Sequence, residues 1–183
     1  MLSLRTRLCL TAAAISIATA AFAQMPAYTQ AGPLPPALAT AKTIFVSNAG
    51  GDSDLFYQGF SDEPNRFYTF SGDPDRGYTE FYAALKATGN FTLVADPAQA
   101  DLVLELRLIA PQHPVMIQGE THPLPMFRLV VLDGKTHSIL WTVTRSIDSA
   151  LLRRNCDKNF DLALSEVLGQ FLKITGRSPT PAH

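Results

Sequence analysis

The regular alternation of leucines between residues 102 and 108 most constrains how this chain folds. In FTLVADPAQADLVLEL (residues 91–106) and the residues that follow, leucine occupies every second position from Leu102 to Leu108, and Glu105 and Arg107 lie between. Because successive side chains of a β-strand point to opposite faces, this pattern predicts a half-buried strand over residues 102–109. The hydrophobic core is expected on the leucine side.

Four further segments have the composition of strands. They are short, rich in β-branched and aromatic residues, bounded by turn signals, and cover residues 42–47, 91–95, 127–132 and 139–147. The last two are joined by residues 133–138, a connection that contains Gly134 and predicts an antiparallel hairpin.

A first helix is predicted from apolar spacing. Between Tyr78 and Leu85, aromatic and aliphatic residues recur at i, i+3, i+4 and i+7, which gathers them on one helical face. Asp73 or Asp75 can cap the start of this helix, and Gly89 can stop it.

A second, longer helix closes the chain, with an apolar stripe from Phe160 to Leu172. Asn155 or Asp157 is the predicted cap, and Gly176 the predicted end. The order of elements predicts an α+β fold, in which a mixed, mostly antiparallel sheet of about five strands carries both helices on one face. A helix between the first two strands predicts one parallel crossover.

The N-terminus has the pattern of a secretory signal peptide: a basic start, an apolar stretch from Leu8 to Phe22 and a small-x-small site before Gln24. That stretch is shorter than the roughly 20 residues of a membrane span. We therefore predict an exported mature chain, periplasmic or extracellular, without a transmembrane segment. The predicted organisation is a signal peptide over residues 1–23, a flexible lead-in over 24–41, a single domain over 42–175 and a flexible tail over 176–183.

The charge of the mature chain excludes some partners. Removal of Arg5 and Arg7 from the balance of 15 basic and 16 acidic side chains leaves a net charge of −3. This charge gives no general attraction for nucleic acid or anionic lipid. Cys156 is the only cysteine after the predicted cleavage site, so no internal disulfide is possible.

The helix over residues 78–89, FTLVADPAQADLVLEL, the hairpin FRLVVLDGKTHSILWTVTRSI and the closing helix together carry a resemblance. The pattern resembles small exported bacterial domains of undefined function. It is also similar to periplasmic α/β domains of secretion and envelope-assembly accessories, of the curli-secretion channel and TolB N-terminal types. In those families a phrase V-x-D-x-x-T-x-x-x-L-W follows ADLVLEL, and residues 130–141 match it apart from spacing. The resemblance implies a fold and no catalytic residue; the chain departs from it in lacking a lipid-modified cysteine.

The segment between the first strand and the first helix is unusually aromatic and longer than most connections. Its rings either pack as a hairpin against the sheet or form a partner-binding face, since aromatic side chains supply much contact area at low entropic cost. The predicted partner-binding residues are Phe56, Tyr57, Phe60, Phe67, Tyr68 and Phe70.

Two histidines offer the main alternative chemistry. His113 and His122 lie nine residues apart in a predicted loop, with Glu120 between them, and could hold a metal if that loop folds them together. Tight ligand spacing is absent, and a His-Pro pair suits an extended loop in any case.

Three weaker motifs favour structural interpretations. The acids of SGDPDRGYTE (residues 71–80) are better explained by a helix start than by a calcium loop. Gly50 and Gly51 lack the remaining glycines of a phosphate-binding loop and predict a turn. Cys156 could have thiolate character at a helix start, although an inert, partly buried thiol is the simpler interpretation.

These observations predict an exported, non-catalytic interaction domain of the bacterial envelope, without a cofactor, that binds a protein or another envelope component. The alternative is a small metal-dependent hydrolase that uses His113 and His122. The sequence does not decide the oligomeric state.

Overall fold

A computed structural model describes residues 32–56, 70–110, 115–117, 120–122 and 124–178. Within these residues the α-helices are α1 (Pro36–Thr40), α2 (Arg76–Ala87) and α3 (Arg153–Ile174). The strands are β1 (Thr43–Gly51), β2 (Thr92–Leu93), β3 (Leu102–Ile109), β4 (Val115–Ile117), β5 (Glu120–His122), β6 (Met126–Asp133) and β7 (Ile139–Ser146). Short 3₁₀ turns cover Ser53–Leu55 and Pro97–Gln99.

Five strands form one sheet in the order β2-β1-β3-β6-β7. β1 is parallel to both β2 and β3, whereas β3, β6 and β7 pair antiparallel. The predicted α+β class, five-stranded mixed sheet and parallel crossover are therefore confirmed. The remaining strands, β4 and β5, form a separate hairpin that the sequence did not predict.

The leucine alternation of β3 behaves as predicted. Leu102, Leu104, Leu106 and Leu108 are buried against the helices, whereas Glu105 and Arg107 are exposed on the other face. The strand keeps its predicted bounds because β1 and β6 pair with it on both sides. Its apolar face forms the centre of the core.

α2 and α3 pack side by side on that apolar face. Gly77 of α2 lets the helix approach the sheet closely, since a β-carbon at this position would lie 3.1 Å from the ring of Phe127. α3 buries Phe160, Val167 and Phe171 from its predicted stripe. The two helices bury a common set of apolar side chains with the sheet.

The predicted helix ends are only partly correct. Gly89 and Gly176, with φ of +64° and +70°, follow α2 and α3 as predicted, because glycine tolerates the left-handed conformation. The predicted α3 caps are wrong: the helix starts at Arg153, with the extended residue Leu152 before it, so that Asn155 and Asp157 lie within its first turns.

The ends of the folded body are more ordered than predicted. Within the lead-in predicted for residues 24–41, α1 is helical and Leu38 is fully buried, so the body begins before Lys42. In the predicted tail, the Arg177 guanidinium stacks 4.1 Å from the ring centroid of Phe91 and bonds to the Ala41 carbonyl. The buried Leu38 side chain at one end and the cation–π contact of Arg177 at the other attach these segments to the folded body.

Candidate functional site at the carboxyl edge of the sheet

Both segments that the sequence singled out leave the sheet at the same edge. β1 and β3 are parallel and end at Gly51 and Ile109, and β7, which runs in the same direction, ends at Ser146. We call this the carboxyl edge. The aromatic segment follows β1, the histidine segment follows β3, and α2 and α3 both begin here. The topology therefore brings together the ends of β1 and β3, where Asp52 bonds to Ala110, 58 residues further along the chain.

Asp52, which follows β1, forms hydrogen bonds with the end of β3. Its backbone N–H donates to the carbonyl of Leu108 at 3.2 Å, and its carboxylate accepts a hydrogen bond from the N–H of Ala110 at 2.8 Å. Next to it, Gly51 lies so close to Pro74 that a β-carbon would approach the Pro74 carbonyl oxygen to 3.1 Å. The base of the carboxyl edge is thus closely packed.

The aromatic segment begins and ends in the core. Phe56 and Phe70 are 3% and 0% exposed, and the N–H of Phe70 donates to the carbonyl of Leu55 at 2.9 Å. Their ring centroids lie 6.1 Å apart, and each ring also contacts Phe160. Of the two roles left open, these two residues take the packing role and offer no exposed binding surface.

The other four predicted partner-binding residues, Tyr57, Phe60, Phe67 and Tyr68, lie outside the described residues. A binding role for residues 57–69 therefore stays a prediction. What the structure adds is that the two residues flanking this segment, Phe56 and Phe70, are neighbours in the core.

A cluster of charged side chains around Arg76 holds the C-terminal end of the aromatic segment. Arg76, at the start of α2, pairs with Asp157 and Asp161 of α3 at 2.7 and 2.5 Å, and with Glu80 one turn further along α2 at 2.8 Å. Its guanidinium also lies 4.3 Å from the ring centroid of Phe160. One side chain thereby joins the two helices above the core.

Asp157 connects this cluster to the aromatic segment. Its two carboxylate oxygens accept hydrogen bonds from the backbone N–H and the hydroxyl of Ser71, both at 2.8 Å. The Arg76 guanidinium donates to the carbonyl of the same serine at 3.0 Å. The residue that follows Phe70 is therefore held by three hydrogen bonds. We call Ser71, Arg76 and Asp157 the Arg76 clamp.

Both charged groups of the clamp have shifted pKa values. Burial acts against the charged form of Asp157, but the bonds from Ser71 and Arg76 outweigh it and lower the pKa of this carboxyl. Burial likewise acts against the Arg76 cation, yet Glu80, Asp157 and Asp161 together raise its pKa. Both side chains are therefore charged at neutral pH.

The histidine segment contains the hairpin of β4 and β5, in which Val115 pairs with His122. His113 lies outside the described residues, and only the backbone of His122 is described. Among the residues that the structure describes, no three or more His, Cys, Asp or Glu side chains are arranged to hold a metal ion. The metal-dependent alternative thus stays a prediction.

The acids that superficially resemble a calcium loop have bonds within the fold. Asp73 accepts a hydrogen bond from the N–H of Asp75 at 2.9 Å, and Asp75 accepts one from the side chain of Asn48 at 2.9 Å. Glu80 is paired with Arg76. These three carboxylates organise the start of α2.

Two other candidates are integrated into secondary structure. Gly50, with φ of +72°, lies at an irregularity of β1, where the Asn48 side chain accepts a hydrogen bond from its N–H. The glycines predicted as a turn are therefore the end of a strand that runs four residues further than predicted. Cys156 is buried in α3, and its thiol donates to the carbonyl of Ala150.

Sequence reasoning did not identify the Arg76 clamp. Arg76 and Glu80 have the i,i+4 spacing of a helical ion pair, which is a readable signal. Nothing in the sequence links Asp157 to Ser71, which lies 86 residues away. Asp157 was instead predicted to cap a helix.

Comparisons with known proteins give limited information. No protein-family model matches the chain, and no curated protein matches it in sequence. Among solved structures, it is similar to a DUF330 family protein from Xanthomonas campestris, with 14% identity and a TM-score of 0.47 over 81% of this chain and 90% of that one. A DUF4136 family protein from Bacteroides thetaiotaomicron has 10% identity and a TM-score of 0.46 over 76% and 92% of the two chains.

A further similarity is to the PelC dodecamer of Paraburkholderia phytofirmans, with 15% identity and a TM-score of 0.39 over 74% of this chain and 87% of that one. These neighbours are bacterial proteins, and two belong to domain families of unknown function. At such identities and TM-scores the likeness decides neither family nor function. The predicted similarity to curli-secretion and TolB-type domains is not confirmed.

Proposed function

We propose that this protein is an exported, non-catalytic interaction domain of the bacterial envelope, and that residues 57–69 at the carboxyl edge bind a protein or another envelope component. Tyr57, Phe60, Phe67 and Tyr68 supply the contact area. The proposal includes cleavage of the leader before Gln24, which N-terminal sequencing of the exported protein tests directly.

The attachment of both ends of this segment is the observation that carries the proposal. Phe56 and Phe70 are anchored in the core, and the Arg76 clamp holds Ser71. A thirteen-residue connection whose two ends are fixed has less conformational entropy to lose when it binds a partner. The smaller entropy loss leaves more of the contact energy as binding affinity. Aromatic side chains with few rotatable bonds have the same advantage.

The charge pattern supports a protein or uncharged envelope component as the partner. The mature chain has a net charge of −3, counted without Arg5 and Arg7. Arg76 is neutralised by acids within the fold, so it is not available for an anionic ligand. No helix in the described part of the chain is long and apolar enough to cross a membrane.

Site-specific photo-crosslinking in living cells tests the proposal. A photoreactive amino acid at Phe60 or Phe67 is expected to give a defined covalent adduct with one envelope component. The matched control is Leu34, a half-exposed apolar residue on a different part of the fold, which should give no such adduct. Equal labelling from all three positions, or none from Phe60 and Phe67, would contradict the proposal.

Alanine variants separate binding from folding. Phe60→Ala and Tyr68→Ala are expected to abolish the adduct formed from Phe67 while the urea midpoint of unfolding stays within error. Metal analysis of the purified chain addresses the alternative enzyme. Stoichiometric zinc that is lost in His113→Ala would favour the hydrolase.

A further inference from the structure

β7 is an edge strand with one unpaired side. It is the last strand of the sheet, pairs only with β6 among the described residues, and has eight residues. The strand at the opposite edge, β2, has only two. Exposed edge strands offer a row of backbone donors and acceptors to another strand unless charge, proline or a bulge protects them.

The hydrogen bonds at the end of β7 reveal which residues face outward. The N–H of Ile147 donates to the carbonyl of Pro125 at 2.9 Å, on the β6 side, in the same register that pairs Arg145 with Phe127. Since backbone groups alternate in direction along a strand, Thr142 and Thr144 direct their N–H and C=O away from the sheet. No other strand in the described part of the chain pairs with these groups.

The usual protection of an edge is weak over most of β7. The strand contains no proline and no lysine, and its irregular pairing lies at its start, between residues 139 and 141. Its single charged residue, Arg145, forms an ion pair with Glu166 of α3. An arginine that is paired with a glutamate repels a second positively charged strand much less than an unpaired arginine does.

We propose that β7 pairs antiparallel with β7 of a second copy of this chain, about a two-fold axis through Val143. In this register Thr142 stands opposite Thr144 of the second copy, and the two chains exchange four backbone hydrogen bonds through these residues. Cross-strand threonine pairs are favourable. In this register Arg145 stands opposite the uncharged Trp141 of the second copy. A two-fold axis through Arg145 would instead place the guanidinium groups of the two copies opposite each other.

The flank of α3 above this edge supplies apolar area for the same contact. Leu162 is 56% exposed and lies one turn before Glu166, whose partner Arg145 places this flank over β7. The two-fold axis brings the flank toward its equivalent in the second copy. A strand pair alone buries less than the roughly 1,200 Å² typical of a stable interface, so this helix contact is required.

This dimer is independent of the proposed partner binding. β7 forms the lateral edge of the sheet, whereas residues 57–69 leave from the carboxyl edge. Loss of one contact therefore leaves the other measurable, and the two proposals can fail separately.

Three variants, each with one cysteine added to β7, test the pairing and its register. A non-hydrogen-bonded antiparallel pair has Cα atoms about 4.5 Å apart, which suits a disulfide. Val143→Cys is therefore expected to give a covalent dimer on mild oxidation of the protein purified after expression of the full chain. In this register Thr142 lies diagonal to Thr142 of the second copy, and Thr144 diagonal to Thr144. Thr142→Cys and Thr144→Cys should therefore form no covalent dimer, and neither should the parent chain, whose Cys156 is buried.

Sedimentation equilibrium measures the association without a crosslink. Thr144→Pro removes an outward N–H from each copy and is expected to weaken the dimer about twenty-five-fold, since each of the two symmetric bonds lost contributes roughly one factor of five. Leu162→Glu should also weaken it, whereas Leu34→Glu, a matched change at another half-exposed leucine, should not. A parent chain that is monomeric at high concentration, or a disulfide only at Thr142 or Thr144, would overturn the proposal.

Discussion

Replacement of Asp157 by alanine tests the Arg76 clamp. This carboxylate accepts three hydrogen bonds of 2.7–2.8 Å, two from Ser71 and one from Arg76, and its side chain is 23% exposed. A net contribution of about 1.5–3 kcal/mol is typical for one bond to a charged group. Water and the remaining acids replace part of this, so we expect the free energy of unfolding to fall by about 2–3 kcal/mol in all.

Urea denaturation followed by circular dichroism measures this loss. Asp161→Ala is the matched control, because Asp161 contacts the same guanidinium through one atom and its side chain is 57% exposed. An exposed pair of this kind contributes at most about 1 kcal/mol. A loss below about 0.5 kcal/mol for Asp157→Ala, or equal losses in both variants, would refute the assignment of the clamp to Asp157.

The same bonds predict a dependence on pH. The folded state lowers the pKa of Asp157, so its contribution is fully present above the ordinary aspartate pKa of about 4 and is lost as the pH falls through the lower folded value. The difference in unfolding free energy between the parent chain and Asp157→Asn should therefore be constant near neutral pH and shrink in acid. A difference that grows as the pH falls would contradict the sign.

Three other substitutions probe the core and the turns, each by urea denaturation. Phe160→Ala should cost about 3–5 kcal/mol, because this fully buried ring contacts the rings at both ends of the aromatic segment; a cost under 2 kcal/mol would be inconsistent with that packing. Gly134→Ala should be strongly destabilising or unfold the protein, since its β-carbon would lie 1.8 Å from the carbonyl oxygen of Ala100. Gly89→Ala is its control: it meets no neighbouring atom and should cost only the 1–2 kcal/mol or so of a left-handed residue, so equal costs would argue against the steric explanation.

The sequence-based predictions were accurate where a feature depends on neighbouring residues in the chain and inaccurate where it depends on distant ones. β3 was predicted to its last residue because period-two alternation is a local signal, reinforced by neighbours on both sides. The start of α3 was misplaced because Asp157 has the residue type of a cap, while its carboxylate is used by Ser71 on a distant segment. Leu38 was assigned to a flexible lead-in because two leucines, Leu34 and Leu38, among alanines and prolines are too few to establish a periodic pattern.

Only part of the candidate site could be predicted from the sequence. The length and aromatic content of residues 54–73 indicated a candidate binding segment before the structure was known. The burial of Phe56 and Phe70 was not visible, because nothing in the sequence distinguishes these two rings from the other aromatic residues of the segment. The Arg76 clamp and the position of β7 at the end of the described sheet were equally hidden, since each depends on which elements become adjacent.

By itself, the amino-acid sequence determined the α+β class, the core-facing residues of β3 and the apolar stripe of α3. These properties depend on side-chain periodicity, which is set by local backbone geometry. Only the tertiary structure decided that the aromatic and histidine segments share one edge, that Ser71 is held by Arg76 and Asp157, and that β7 ends the sheet. The physical reason is that hydrogen bonds and ion pairs act over a few ångströms in space, whereas their partners here lie up to 136 residues apart along the chain.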